Sequence, residues 1–166
     1  MFNIGDTIIY SIHGLSEIDD ICEKTYGNVT RTYYVLHPLE DPGLTINTPV
    51  DNNQVVMLTV LEKKEAEDIL QSFQQLGISW IEDPRQRYRE YNRLINTGER
   101  KEISKVVNTL MRKNQELNRN KKKMYDQDRS LLIKTQKILF KELAVSLNTS
   151  YEDVSEKISS MISLQK

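Results

Sequence analysis

The chain is poor in the residues from which most enzymes and metalloproteins build their sites. Its 166 residues hold one cysteine, Cys22, and two histidines, His13 and His37. A lone thiol excludes an intramolecular disulfide and any cysteine-based metal site, and it fits a reducing compartment. The histidines stand 24 residues apart, and neither has Cys, Asp or Glu nearby at metal-ligand spacing. Six glycines are scattered singly, so there is no glycine-rich loop of the kind that cradles phosphate. Carboxylate pairs such as Asp19-Asp20 and Glu40-Asp41 fall in turn-like sequence, where solvated caps explain them. No catalytic residue, metal or cofactor is expected, and an enzyme is not the reading. No apolar run reaches the roughly 18 residues that span a bilayer. Met1-Phe2-Asn3-Ile4-Gly5-Asp6 has neither a basic nor an apolar leader region, so a cytoplasmic protein is expected and the sequons at Asn28 and Asn148 are chance matches.

Charge is present in quantity and is unevenly placed. The net charge is only −1. Residues 1–76, however, carry 4 basic and 12 acidic side chains, while residues 84–141 carry 17 Lys/Arg against 6 Asp/Glu, a local net of +11. A chain polarised in this way touches two kinds of partner, one of them suited to a polyanion.

The hydrophobic pattern changes period between the two halves. Thr7–Tyr10, Leu15–Cys22, Thr30–Leu36, Leu44–Val50 and Gln54–Leu58 read as five short strands, with turns at Tyr26-Gly27-Asn28 and Asp41-Pro42-Gly43. Five strands in under 60 residues form a small bent sheet or barrel, whose exposed edge is its natural binding device. From Leu61 the period is helical. Ala66, Ile69, Leu70, Phe73 and Leu76 mark a first amphipathic helix ended by Gly77. A linker with Trp80 follows, and Asp83 with Pro84 caps a helix to Asn96 that turns Tyr88, Tyr91 and Ile95 inward. A third helix from about Glu99 to Arg119 buries Ile103, Val106, Val107, Leu110 and Met111. Asn118–Lys123 is a basic loop or fraying end. A fourth, from Asp126 to Leu147, buries Leu131, Leu132, Ile138, Leu139 and Leu143. A capping box at Thr149–Glu152 starts the last helix. The expected class is α+β: a β domain over 1–58, a connecting helix and linker over 59–83, and a helical domain over 84–166.

Two features stand out in the helical half. Arg85, Arg89 and Arg93 recur every fourth residue, and their helix holds only Glu90 as an opposite charge, so neighbouring-turn pairing does not account for them. Arg112, Lys113, Lys121, Lys122, Lys123, Arg129, Lys134 and Lys137 extend the basic excess, which suits a phosphate backbone and equally describes a solvated face. Trp80, the single tryptophan, is either a core plug or an exposed apolar wedge beside a basic helix, a device of minor-groove binders.

These residues resemble the CarD/CdnL-type bacterial transcription regulators over almost the whole chain. Ile4–Tyr10 with His13-Gly14, Tyr34-Val35-Leu36 and Leu44–Pro49 are similar to the family's Tudor-like polymerase-interacting domain. Arg87-Tyr88-Arg89, Gly98, Val106-Val107, Leu110, Gln115-Glu116 and Ile138–Ala144 are similar to its helical DNA-binding domain. The resemblance implies a monomeric, non-enzymatic regulator that binds the RNA polymerase β subunit by strand addition and holds the open promoter complex. It implies a nucleoid association through polymerase and weakly sequence-specific contact with promoter DNA at the minor groove and phosphate backbone, with no membrane partner. Lys24 and the strand Thr45, Ile46, Asn47, Thr48 and Pro49 would face polymerase, and Arg87, Arg89 and Arg129 would face DNA beside the Trp80 wedge. The chain departs from the family pattern at four places. Trp80 lies four residues before Pro84 rather than next to the helix start, and Asn47 stands where a basic residue is common. The Asn118–Tyr125 loop is longer and more basic, and Tyr10–Gly14 lacks the proline that often follows the tyrosine. A protein-binding adaptor for an acidic partner and an RNA-binding module are the competing readings.

Overall fold

The computed structural model describes residues 1–10 and 13–164; Ser11 and Ile12, within the departure at Tyr10–Gly14, lie outside the described residues. The chain forms two compact units, Met1–Val60 and Leu61–Lys166.

The first unit is one antiparallel sheet of β1 (Thr7–Tyr10), β2 (Gly14–Tyr26), β3 (Val29–Pro38), β4 (Ile46–Pro49) and β5 (Met57–Thr59), in the order β4-β3-β2-β1-β5. The first, second and third strands match the sequence pattern, although β2 runs on past Cys22 to Tyr26 because β3 pairs with it residue for residue down to Val29. A bulge between Ile18 and Asp20 explains the imperfect alternation there. One extra residue reverses the facing of the strand beyond it, so Ile18 and Ile21, three apart, both meet the core. That core is Ile8, Tyr10, Ile18, Tyr34 and Leu36, with Phe2, Ile46 and Met57 against it. Val50 donates its N–H to the Thr32 carbonyl at 3.0 Å. Alternation along an antiparallel ladder then turns the backbone of Thr48 and Ile46 toward β3 and that of Asn47 outward.

The second unit packs α1 (Lys63–Ser72), α2 (Pro84–Asn96), α3 (Arg100–Arg119), α4 (Asp126–Ser146) and α5 (Tyr151–Leu164) around one core. The first helix, expected as part of a connector, belongs to this unit. Ala66, Ile69, Leu70 and Phe73 are buried, and Phe73 meets Phe140 edge to face at 6.2 Å; burying a side chain of that size stabilises by about 1.5–3 kcal/mol. The helix stops at Ser72, short of Gly77, so Leu76, expected inward, is 77% exposed. Gly77 serves instead as the point of close approach to α3: a Cβ there would collide with the Lys105 carbonyl oxygen and Thr109 Oγ1.

Caps set the remaining boundaries. Asp83 accepts the Gln86 N–H at 2.8 Å with Pro84 in the first turn, as the sequence indicates. The last helix is capped one residue later than its motif suggested, because Ser150 Oγ accepts the Asp153 N–H at 3.0 Å. Between α3 and α4, Lys122 N–H reaches the Leu117 carbonyl and Lys121 N–H the Asn118 carbonyl, with Lys121 at φ 55. This is a Schellman stop rather than a frayed end. Asn148 ends α4 in the same way, donating to the Val145 carbonyl while Thr149 N–H reaches the Ala144 carbonyl.

Candidate functional site

Periodicity determines what α2 buries. Its inward positions are Arg87, Tyr91, Leu94 and Ile95, spaced i, i+4, i+7, i+8 as a core-facing stripe requires. Tyr88, expected on that face, is 37% exposed. Arg87 therefore takes a core position, and its expected role as a DNA-facing residue is corrected: it is 3% exposed. Nε and Nη2 donate to the Asp128 carboxylate at 3.0 and 2.6 Å, and Nη1 donates to the carbonyls of Ile81 and Glu82 at 2.8 and 3.2 Å. Asp128 is equally buried at the start of α4. A carboxylate accepting two parallel N–H bonds from one edge of a guanidinium is the strong, geometry-specific form of the ion pair.

Trp80 is half-buried against the helical core. The Arg87 guanidinium carbon lies 4.2 Å from the centre of its ring, Lys113 Nζ lies 5.0 Å away, and Tyr91 packs edge-on at 6.4 Å. Cations over an indole are attracted by its quadrupole. Tyr91 is fully buried and donates its hydroxyl to the Ser79 carbonyl at 2.9 Å. Burial pushes its phenol above the ordinary value, which keeps it protonated as that donor. The ring is seated on the core of the helical unit and is not enclosed by it.

The other basic residues divide by position. Arg85 and Arg89 are exposed on the outer side of α2, without an ion pair among the described residues. Arg93 is exposed and held by Glu90 at 2.6 Å, and Arg129 by Asp126 at 2.6 Å. Exposed pairs of this kind are worth about 0–1 kcal/mol, so they open readily to a phosphate. Lys121, Lys122 and Lys134 are exposed. Arg100 and Arg112, part of the basic excess in sequence, are structural. The first grips buried Glu142 through Nε and Nη2 at 3.1 and 2.8 Å; the second caps the chain after α1 through the Phe73 and Gln75 carbonyls. Tyr125, 65% exposed with its ring 6.0 Å from the Arg87 guanidinium, is a residue of this cluster that sequence reasoning did not select. An exposed tyrosine next to the Lys121–Lys123 run was the available signal.

In the sheet, β4 is an edge strand. Ile46, Asn47, Thr48 and Pro49 lie in it, while Thr45 precedes it and is exposed. Thr48 is buried; Asn47 is exposed and accepts Lys24 Nζ at 2.6 Å across β3. Lys24 and the edge strand thus form one surface. The His37 imidazole lies 2.8 Å from the carboxylate of Asp19, the bulge residue. Among the described residues no group of three His, Cys, Asp or Glu could hold a metal ion. No helix among them is long and apolar enough to cross a membrane.

The chain is thus a two-unit α+β protein, an antiparallel sheet with an open edge strand followed by a five-helix unit with a tryptophan seated on its core. Residues 2–60 match the family model of the CarD-like/TRCF RID domain, and residues 68–159 match that of the CarD C-terminal domain. The chain is also 33% identical over 139 residues to a protein of Bacillus subtilis (strain 168) named "Putative transcription factor YdeB", covering 80% of this chain and 88% of that one. The chain belongs to the CarD family of transcription regulators, a type distinct from enzymes.

Proposed function

We propose that this chain tethers RNA polymerase to promoter DNA and prolongs the life of the open complex. The β unit docks on the polymerase β subunit through the outward backbone of Asn47 and Thr45, extending the sheet by a strand, with Lys24 and Asn47 alongside. The helical unit grips phosphates with Arg85, Arg89, Arg93, Lys121, Lys122, Arg129 and Lys134. Trp80 enters the minor groove at the edge of the melted region. The observation that carries this reading is the partly exposed indole with Arg87 and Lys113 against its ring, on a unit that also exposes Arg85, Arg89 and Arg93 on α2, Arg129 and Lys134 on α4, and Lys121 and Lys122 in the loop between α3 and α4. Nothing in α2 reads base edges, so DNA affinity alone is weak and poorly sequence-specific. Attachment to polymerase raises the local concentration at the promoter and makes such affinity sufficient.

The test is open-complex lifetime on a promoter with cognate polymerase, comparing the wild type with Trp80→Ala. The wild type lengthens the lifetime, and Trp80→Ala, folded and still polymerase-bound, loses the gain. Full activity of the variant removes the wedge and leaves the exposed cations to hold the DNA. A wild type without effect overturns the function itself. Binding to RNA in preference to duplex DNA, or to neither at low salt, would point to an RNA module or to an adaptor for an acidic protein.

A further inference from the structure

Arg87 is a buried charge that the proposed DNA contact does not use. Each of its three guanidinium nitrogens is engaged: Nε and Nη2 by Asp128, Nη1 by the carbonyls of Ile81 and Glu82. Ile81 and Glu82 are the two residues that follow Trp80. One planar group therefore holds the backbone beside the tryptophan and also lies 4.2 Å from the centre of its ring. Asp128, from a different helix, fixes that group from the far side. Trp80 itself belongs to no helix or strand, so no ladder of backbone hydrogen bonds orients it.

We infer that Arg87, clamped by Asp128, is a positioning residue that sets the pose of Trp80 for nucleic acid without touching the nucleic acid itself. A side chain carried on a connecting segment would otherwise lose rotamer freedom on binding. A ring already seated avoids that cost. Lysine cannot replace the clamp, because an ammonium has neither the flat face nor the fork of donors. The effect on DNA binding rests on the proposed function; the effect on the pose of Trp80 does not.

Trp80 is the sole tryptophan, so fluorescence excited at the red edge, where tyrosine does not absorb, reports on it alone. The variants are Arg87→Lys, which keeps the charge, and Arg87→Met with Asp128→Leu. The second replaces both members of the buried pair by apolar groups, a change that folded proteins commonly accept. In the full-length variants, with helical circular dichroism unchanged, Trp80 emission moves to the red and acrylamide quenches it more efficiently. Duplex affinity falls by roughly tenfold, while the slope of log affinity against log salt stays at the wild-type value, because every phosphate ligand is still in place. Wild-type emission and quenching in a folded variant overturn the inference. So does a salt slope reduced by about one in the Arg87→Met, Asp128→Leu variant, which marks Arg87 as a phosphate ligand. If the fluorescence changes as stated but even the wild type binds no duplex, the clamp stands and the DNA-binding function falls.

Discussion

Helix α2 carries Arg85, Arg87, Arg89 and Arg93, and these four side chains belong to two different regions of the molecule. Three stand in solvent, where a charge costs little to keep and contributes little. The fourth occupies a core position, paid for by a bidentate carboxylate and two carbonyl oxygens. The same division separates exposed Lys121, Lys122 and Lys134 from Arg100, which is bound to buried Glu142. A cation count along the sequence therefore overstates the surface available to a polyanion. It also hides the fact that some of those cations hold the surface together.

Four measurements sharpen or break this contrast. The largest effect is expected for Asp128→Ala, which strands Arg87 in the interior and costs about 3–5 kcal/mol in urea unfolding. A loss below about 1 kcal/mol, the range of an exposed pair, would erase the distinction. Next comes Glu142→Gln, which weakens the grip on Arg100 and the acceptor for the Leu61 N–H at 3.0 Å. Losing charge from such hydrogen bonds costs roughly 1.5–3 kcal/mol, again read from the unfolding midpoint.

Arg85→Ser and Arg89→Ser should behave in the opposite way. Stability changes by no more than about 0.5 kcal/mol, while the salt slope for duplex binding falls by roughly 0.9 for each phosphate no longer neutralised. Unchanged slopes would assign these arginines to solvent. The smallest effect concerns Asp153, whose carboxyl is held below the ordinary aspartate range first by the Thr149 hydroxyl and then by Lys157. Its contribution is present above the unfolded-state value and disappears as pH falls through the lowered folded-state value. Asp153→Asn should lower neutral-pH stability slightly and leave stability below the acid limb unchanged, so the limb flattens; an equally steep limb would show that it comes from other groups.

The fold was legible to different depths in its two halves. Five strands and five helices follow from alternation, turn residues and 3.6-residue periodicity, and Asp83-Pro84 marks its boundary to the residue. The end of the first helix was misread because Leu76 continues the apolar spacing, while the close approach of α3 at Gly77 decides where the chain turns. Leu15–Cys22 reads as a plain strand, and the bulge that turns both Ile18 and Ile21 to the core has no local sequence signature. In the candidate site, Arg85, Arg89 and Lys121 were readable as exposed cations. Arg87 was not, because its residue type argues for the surface while its position argues for the core.

The order of sheet and helices, the Asp83-Pro84 cap, the charge polarity and the family likeness were determined by the sequence alone. All of them are local or cumulative properties of neighbouring residues. Tertiary structure decided that Arg87 meets a carboxylate 41 positions away, that Trp80 lies against that guanidinium, and that Lys24 reaches Asn47 across a strand. Such contacts depend on which surfaces the packing of elements brings within a few ångströms, and short-range periodicity carries no record of that distance.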